Sequence, residues 1–364
     1  MIVTHSRPTI DQDDIRAVSR VLASGNIAQG KKVKEFENEL AKLVGTKHAI
    51  ACSSGTTALH LALLGLGVGP RDEVIMPSYV CSSVYQATLH THATPKVVDI
   101  DLTDLNLSAD TIKQQLSPRT KALIVPHMFG TPAKLDELLE LGIPIIEDCA
   151  QSLGAEHKGR KVGSIGELSI FSFYATKMIT TGEGGMVLTN NSEFYSRIND
   201  ARDCDNKPPI PTKYNYKMTD FQAALGLSQL KKLQHFIQRR RQIASLYTSR
   251  FSEHNVTVSR EHPDRMSVFY RYIVMVDKLE YVQRNAKKKG VMCEKPVWKP
   301  LHNSLTNAKC PNADYAYAHA LSVPLYPGLS EEEIQYVVEN LETIFRKMDE
   351  SAKIPMTHYN IINK

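Results

Sequence analysis

The sequence predicts an α/β fold with a mostly parallel sheet of about seven strands and helices on both faces. Short apolar runs of strand length recur between residues 48 and 189, and helical patterns fall between several of them. Such alternation is typical of parallel sheets that are covered on both sides. Polar and small residues follow several of these runs, and α/β sheets bind ligands where their strands end. The fold class therefore indicates where a site should lie.

Each predicted strand is an apolar run of five to seven residues. The runs are HAIAC (48–52), DEVIMP (72–77), PKVVDI (95–100), ALIVPHM (122–128), PIIEDC (144–149), LSIFSF (168–173) and GGMVLT (184–189). Between them, apolar residues at a spacing of three or four predict helices, for example from Val33 to Leu43 with a stop at Gly45. No internal repeat is visible.

A second, smaller unit follows the sheet. An uninterrupted helical pattern begins after Thr219, a suitable N-cap, and runs to Tyr247, which is too long for a crossover and suits a connector. Beyond it we predict an α+β unit with strands at 271–276 and near 291–297, and a last helix that begins with a Ser330–Glu333 capping box. The predicted domains are a large one, residues 1–240, and a small one, residues 241–364, with the N-terminal residues packing on the small domain.

Composition excludes several classes of protein. Apolar residues make up 42% and charged residues 23% of the 364 residues, as in ordinary globular proteins. No run reaches the roughly 18 apolar residues of a membrane span, and no signal-peptide pattern opens the chain, so we expect a cytoplasmic protein without a membrane partner. Six cysteines with no CxxC pair and no ligand spacing predict reduced thiols and no metal site.

The net charge of +5 is modest. The densest basic runs, 239–241 and 287–289, lie in helical patterns without interleaved aromatic residues. This pattern is typical of solvated helix faces, and we expect no nucleic-acid partner. A small anionic substrate fits the charge better.

Two residues suggest the chemistry. Asp148 ends an apolar strand, and Lys177 follows another strand and precedes the glycine-rich segment 182–185. A lysine can form a Schiff base with pyridoxal phosphate (PLP), while an acid keeps the pyridine nitrogen protonated. A solvated lysine and an acid that caps a turn are the alternative interpretations of each residue alone.

Other residues complete a cofactor site. The turn that contains Gly55, Thr56 and Thr57 joins a strand to a helix, so its backbone N–H groups can hold a phosphate. Gln151 can reach the phenolic oxygen of the cofactor, and the hydroxyl of Ser172 can reach its phosphate. Taken alone, a strand-to-helix turn with small polar residues is usually just a tight turn with a helix cap.

Four ordered segments carry a resemblance to a known family. SSGTTAL, EDCAQSLGA, FSFYATKMITTGEGGM and YNYKMTDFQAALG closely resemble the motifs of the DegT/StrS family of PLP-dependent sugar aminotransferases. The resemblance covers nearly the whole chain. It implies fold type I of the PLP enzymes, with a seven-stranded large domain, a small C-terminal domain, and a homodimer that shares its active sites.

The resemblance also implies residue roles. Lys177 is expected to be the Schiff-base lysine, Asp148 the partner of the pyridine nitrogen, and Gln151 a neighbour of the ring. Asn215 is expected to reach the phosphate in the other subunit's site, so an isolated monomer should be inactive. The remaining expected phosphate ligands are Gly55, Thr56 and Ser172. The implied reaction takes an amino group from glutamate, stores it as pyridoxamine phosphate and passes it to a keto sugar, most commonly a nucleotide-linked one.

The sequence departs from the family pattern at positions that face the substrate. Cys81 replaces an aromatic residue that stacks on the cofactor ring in relatives, and its sulfur is expected to pack there instead. Segments 201–209 and 294–302 differ too. Within them, we expect phosphate contacts from Arg202, Lys207 and Lys295, with a solvated surface role as the alternative.

Three other functions stay open at this point. The same fold hosts sugar dehydratases that use pyridoxamine phosphate, but such relatives carry histidine in place of Lys177. The acceptor of an aminotransferase can also be a cyclitol or another keto sugar without a nucleotide. A non-catalytic sensor that only binds PLP is the third, and it would not need both Lys177 and Asp148.

Overall fold

The computed structural model describes residues 1–205, 207–208, 211–305 and 308–353. Its α-helices in chain order are α1 (Gln12–Ser24), α2 (Lys31–Val44), α3 (Gly55–Gly65), α4 (Ser82–Leu89), α5 (Ala109–Lys113), α6 (Leu135–Leu139), α7 (Ser192–Arg202), α8 (Asp220–Leu230), α9 (Leu233–Phe251), α10 (Leu279–Lys288), α11 (Pro311–His319) and α12 (Glu331–Lys353). Within these described ranges, no helix combines the length and the apolar character that crossing a bilayer requires.

A seven-stranded sheet forms the centre of the molecule. Its strands are β1 (His48–Cys52), β2 (Glu73–Pro77), β3 (Thr94–Val98), β4 (Thr120–Pro126), β5 (Ile145–Asp148), β8 (Leu168–Ser172) and β9 (Gly185–Thr189). The order across the sheet is β1-β9-β8-β5-β4-β2-β3. All seven predicted strands are present, and the predicted α/β class is confirmed.

Strand direction brings three strand ends together. Strand β9 runs antiparallel to both of its neighbours, β1 and β8, while the other pairs are parallel. As a result, β1, β8 and β5 all end at the same edge of the sheet. Three segments leave the sheet at this edge: the turn that contains Gly55, the segment after Asp148 and the loop that contains Lys177.

The remaining strands form two small sheets. Strands β10 (Thr257–Val258), β12 (Tyr272–Met275) and β13 (Ala320–Val323) make one, and β11 (Arg265–Met266), β6 (Glu156–His157) and β7 (Arg160–Lys161) make the other. The first sheet packs with α10, α12 and the second half of α9 in one apolar cluster, which also includes Val3. The first half of α9 packs instead on the central sheet. The domain boundary at residue 240 stays a prediction.

The long connector helix is interrupted, which corrects the sequence prediction. Helix α8 ends at Leu230 and α9 begins at Leu233, with Lys232 between them. The ammonium group of Lys232 lies 2.7 Å from a carboxylate oxygen of Asp11 and of Asp14. These acids stand at the start of α1, more than 200 positions away in sequence, so the local helical pattern carried no sign of the break.

The predicted strand near 291–297 is also wrong. Val291 makes one bridge to Val3, and Glu294 makes one bridge to Ser322. Pro296 has no N–H with which to extend that pairing. The strand that pairs with β12 is β13 instead.

Most predicted helix ends are confirmed. Thr219 forms a capping box with Gln222, and Ser330 forms one with Glu333. The side chain of Asp220 caps a different helix, because its oxygens accept hydrogen bonds from the N–H groups of Gly30 (2.8 Å) and Val33 (3.0 Å) at the start of α2. These two hydrogen bonds connect the start of α2 to the start of α8.

Candidate active site

A cavity of about 230 Å³ opens where β1, β5 and β8 end. Of the eight predicted site residues, six line it: Gly55, Thr56, Asp148, Gln151, Ser172 and Lys177. They come from three separate stretches of sequence, which the sheet topology brings together at one cavity. Their roles stay predictions, which the geometry below supports.

Asp148 is a buried acid without a cationic partner. Its side chain is at the end of β5, and Oδ1 accepts a hydrogen bond from the N–H of Ala150 at 3.0 Å. Within the described part of the chain, it forms no ion pair with Lys, Arg or His inside 4.0 Å. Burial raises the pKa of Asp148, although the Ala150 N–H and the Lys177 ammonium act against this rise. No described side chain therefore pairs directly with Asp148, and the protonated nitrogen of a pyridine ring would supply such a partner.

Lys177 lies in a tight loop after β8. The loop is closed by bonds from the N–H of Lys177 to the carbonyl of Tyr174 and from the N–H of Thr181 to that of Phe173, both at 2.9 Å. The side chain of Lys177 is half-buried and lines the same cavity as Asp148. A lysine amine and a buried carboxylate at one cavity are the pair that PLP chemistry requires.

The start of α3 suits a phosphate. Ser54 caps this helix, and its hydroxyl accepts a hydrogen bond from the N–H of Thr57. The N–H groups of Gly55 and Thr56 have no acceptor within the helix. A Cβ atom on Gly55 would lie 2.9 Å from the Cβ of Ser172, so glycine lets the helix start approach the Ser172 hydroxyl. Two free N–H groups, a helix dipole and a hydroxyl therefore converge on one side of the cavity.

Gln151 is held in place by a strained turn. Its Oε1 accepts a hydrogen bond from the N–H of Phe129 at 2.8 Å, and Phe129 adopts a left-handed conformation with φ of 58°. A non-glycine residue with such a φ is uncommon and occurs mainly where the structure enforces it. The amide nitrogen of Gln151 is therefore left for a ligand in the cavity.

The other two predicted cofactor ligands lie outside this cavity. The hydroxyl of Thr57 donates to the carbonyl of Ser54 at 2.8 Å and accepts from its N–H at 3.0 Å. Thr57 thus completes the helix cap, and both its polar groups are used. Asn215 is exposed, which suits the predicted contact with a second subunit.

Cys81 lines the cavity with its thiol exposed. It precedes α4 and its Sγ lies 3.3 Å from the hydroxyl of Ser83. Val80, Cys81 and Gln151 also line an adjoining cavity of about 470 Å³. The predicted placement of Cys81 next to the cofactor agrees with this geometry.

Arg202 does not contact a substrate phosphate, which corrects a prediction. It is buried, and its guanidinium donates to Glu37 Oε1 at 2.7 Å and to the carbonyl of Ala51 at 2.9 Å. The same Glu37 oxygen accepts the N–H of Ala51 at 2.9 Å. Arg202 therefore braces the end of β1. The ammonium of Lys207 pairs with the carboxylate of Asp200 at 3.3 Å, whereas Lys295 lines a cavity.

We predict a large stability loss for Arg202→Met. The substitution removes the closer of the two cations beside the buried Glu37, whose other partner is Lys34 at 3.4 Å, and breaking a buried ion pair costs up to about 3–5 kcal/mol. Arg197→Met is the matched control, since Arg197 makes an exposed ion pair with Glu193 on the same helix, worth about 1 kcal/mol or less. Urea unfolding of both variants measures the difference, and equal losses would contradict the bracing role.

Tyr270 is a site residue that sequence reasoning missed. The Lys177 ammonium lies 5.2 Å from the centre of its ring, and the hydroxyl of Thr176 lies 3.1 Å from its phenolic oxygen. Arg271 Nη2 donates to that oxygen at 3.4 Å. Burial acts to raise the pKa of Tyr270, but Lys177 and Arg271 outweigh it and lower the pKa to about 8. Tyr270 stands 93 positions after Lys177 in an apolar segment, where no local pattern distinguished it from a core tyrosine.

The lowered pKa of Tyr270 has a direct readout. We expect one tyrosine of the wild type to ionise with a midpoint near pH 8, seen as tyrosinate absorbance, and this step to vanish in Tyr270→Phe. Tyr272→Phe is the control and should keep the step, because burial raises the pKa of Tyr272 above the usual range. A step that persists in Tyr270→Phe would assign it to another residue.

Three buried side chains near Asp148 are of types that bind metals, but hydrogen bonds within the protein already use the polar atoms of two of them. The ligand atoms of His127, Glu147 and Cys149 lie within 4.8 Å of one another. The N–H of Ala133 donates to His127 Nδ1 at 3.0 Å, so Nε2 carries the proton and donates to Glu147 at 3.2 Å. Glu147 also accepts from three backbone N–H groups, those of Gly163, Ile165 and Gly166. These bonds hold the turn before β8 and leave little for an ion.

Comparison with known proteins identifies the family of the chain. The family model of the DegT/DnrJ/EryC1/StrS aminotransferases matches residues 8–342. The chain belongs to this family. GDP-perosamine synthase of Caulobacter vibrioides is 34% identical to it, with 86% of this chain and 90% of that protein covered. The spore coat polysaccharide biosynthesis protein SpsC of Bacillus subtilis is 34% identical, with 95% and 97% covered.

Solved structures agree with this assignment. Spr1654 of Streptococcus pneumoniae in its PLP form superposes on this chain with a TM-score of 0.90 at 28% identity, and the match covers 95% of this chain and 99% of that one. These findings confirm the predicted fold type I architecture, the aminotransferase activity and the PLP cofactor.

Proposed function

We propose that this member of the DegT/DnrJ/EryC1/StrS family transfers an amino group from glutamate to the ketone of a nucleotide-linked sugar. The observation that carries the proposal is the cavity that joins Lys177 to a buried Asp148 without a cationic partner. GDP-perosamine synthases of Caulobacter vibrioides and Escherichia coli O157:H7, at 34% and 33% identity, support a nucleotide-linked acceptor.

The residues of the cavity have separate tasks in this proposal. Bound PLP supplies an electron-accepting ring and a carbon that carries the amino group between donor and acceptor. Asp148 holds a proton on the ring nitrogen, so that negative charge entering the ring is neutralised. Lys177 anchors the cofactor and then, as a free amine, moves a proton as general base and acid. The phosphate is bound by the start of α3 and by Ser172.

We also propose a homodimer. Asn215 is exposed on the segment before α8, in a family motif whose asparagine is expected to reach the other site. Asn215 of the partner subunit then completes the phosphate site. The cytoplasmic location stays a prediction and is independent of these roles.

Transfer of labelled nitrogen tests the function. The purified protein with PLP is mixed with isotopically labelled glutamate and a panel of GDP-, UDP- and dTDP-linked keto sugars, free keto sugars and keto cyclitols, and mass spectrometry follows the label. We expect the label in an amino sugar nucleotide. Label only in a cyclitol or free sugar would replace the acceptor, whereas a deoxygenated product without label would identify a dehydratase.

A further inference from the structure

Trp298 is the most exposed large apolar side chain of the described residues, with 86% of its surface in contact with solvent. Its neighbours in sequence are anchored: Val297 and Leu301 are buried, and the N–H of Leu301 donates to the carbonyl of Ser78 at 2.8 Å. The structure therefore presents a bare indole on a fixed backbone. A flat aromatic surface held in this way is a stacking platform for a ring.

The indole is reached directly from the catalytic cavity. Trp298 and Lys299 line the adjoining cavity of about 470 Å³, and this cavity shares Val80, Cys81 and Gln151 with the cavity that holds Lys177. A ligand with its ketone at Lys177 can thus extend through the adjoining cavity to the indole.

Positive charge surrounds the other side of Trp298. A further cavity of about 490 Å³ is lined by Trp298, Arg271 and Lys295. Arg271 donates to the ring of His5 at 3.2 Å, and the ammonium of Lys295 lies 3.7 Å from the centre of the Tyr317 ring. In the described chain, neither cation nor Lys299 is paired with a carboxylate.

Two neighbouring groups decide the net charge here. Burial and Arg271 lower the pKa of His5 to about 3, so His5 is neutral near pH 7. Glu294 also lines this cavity, where its carboxylate accepts a hydrogen bond from Gln283 at 3.4 Å. Three cations against one acid leave the surroundings of the indole positive, which favours a diphosphate.

We propose that Trp298 stacks on the base of a nucleoside diphosphate, with Arg271, Lys295 and Lys299 facing its phosphates. The inference rests on the proposed function, since it places the nucleotide of the acceptor, and it assigns that nucleotide to a subsite outside the cofactor cavity. Of these four residues, the sequence predicted a phosphate contact for Lys295 alone. The exposure of Trp298 is a property of the folded chain and leaves no trace in the local sequence.

The chain offers a direct test, because Trp298 is its single tryptophan. GDP is titrated into the PLP-loaded enzyme while tryptophan fluorescence is recorded, with pyrophosphate as the control ligand. We expect saturable quenching by GDP and none by pyrophosphate. Before GDP is added, acrylamide should quench the indole freely; protection from acrylamide would mean that a second subunit covers Trp298 and would overturn the proposal.

Variants separate stacking from charge. By calorimetry, Trp298→Ala should weaken GDP binding about 5- to 100-fold, as loss of one base–aromatic stack does, while Trp298→Phe should retain most of it. Lys295→Met should weaken binding of GDP and pyrophosphate alike. Equal GDP affinity in wild type and Trp298→Ala would overturn the subsite.

A failure of the subsite can be told from a failure of the proposed function. If GDP, UDP and dTDP do not bind but labelled nitrogen still moves from glutamate to a sugar, the subsite is overturned and the aminotransferase remains. If nucleotides bind at Trp298 and no nitrogen moves, the subsite stands and the transfer reaction is wrong.

Discussion

Lys177→Ala is expected to lower the rate of amino transfer by about 10⁴- to 10⁶-fold, because one side chain both anchors the cofactor and moves the proton. Steady-state transfer from labelled glutamate measures the loss. Lys121→Ala is the control, since Lys121 is exposed near the opposite end of β4 and should leave the rate unchanged.

The role of Lys177 also has a readout apart from turnover. PLP added to Lys177→Ala should bind without a covalent link, so borohydride reduction should fix the cofactor to the wild type and not to this variant. A reduced, PLP-labelled peptide that contains another lysine would remove Lys177 from its role.

Asp148→Asn is expected to lower the transfer rate by about 10²- to 10³-fold, the usual effect of removing one preorganised electrostatic group. Asparagine has nearly the same shape but cannot hold the ring nitrogen in its protonated form. Cofactor binding should change far less than the rate, because the substitution does not alter the start of α3 or Ser172, where we expect the phosphate to bind. A rate near that of the wild type would remove Asp148 from its role.

The same variant should make the cofactor-free protein more stable. Burial raises the pKa of Asp148 in the folded state, so the stability it contributes is present below its unfolded pKa and is lost as pH rises through the folded pKa. At neutral pH Asp148 therefore destabilises the folded state relative to acid pH, and Asp148→Asn removes this penalty. Urea unfolding should show a gain at neutral pH that disappears in acid.

Glu147 is the matched contrast for this stability effect. It is the neighbouring buried acid, and four hydrogen bonds satisfy it. Glu147→Gln should destabilise the protein at neutral pH because an amide cannot accept all four bonds. A gain of stability in both variants would show that burial alone, without the missing cation at Asp148, explains the result.

Local pattern was sufficient for the central sheet and for most of the site. Each of the seven strands is an apolar run bounded by polar or small residues, so its position in the sequence was visible. Asp148 ends one such run and Lys177 lies in the loop after another, and parallel topology then brings these strand ends to one edge. This is why the sequence alone could join two distant motifs into one site.

Contacts between charged residues that lie far apart in the sequence could not be predicted from local patterns. Lys232, at the break before α9, pairs with Asp11 and Asp14, and the buried Arg202 pairs with Glu37, 165 positions away. Tyr270 became a site residue only through its approach to Lys177. In each case the partner, not the residue's own segment, decides the role.

An absorbance spectrum of the purified protein, before and after glutamate, tests the central claim most directly. We predict a band at roughly 410–430 nm from PLP linked to a lysine, which glutamate shifts to about 330 nm as the cofactor takes up the amino group. Failure of added PLP to produce the first band would contradict the role of Lys177. A band that glutamate leaves unchanged would contradict glutamate as the donor.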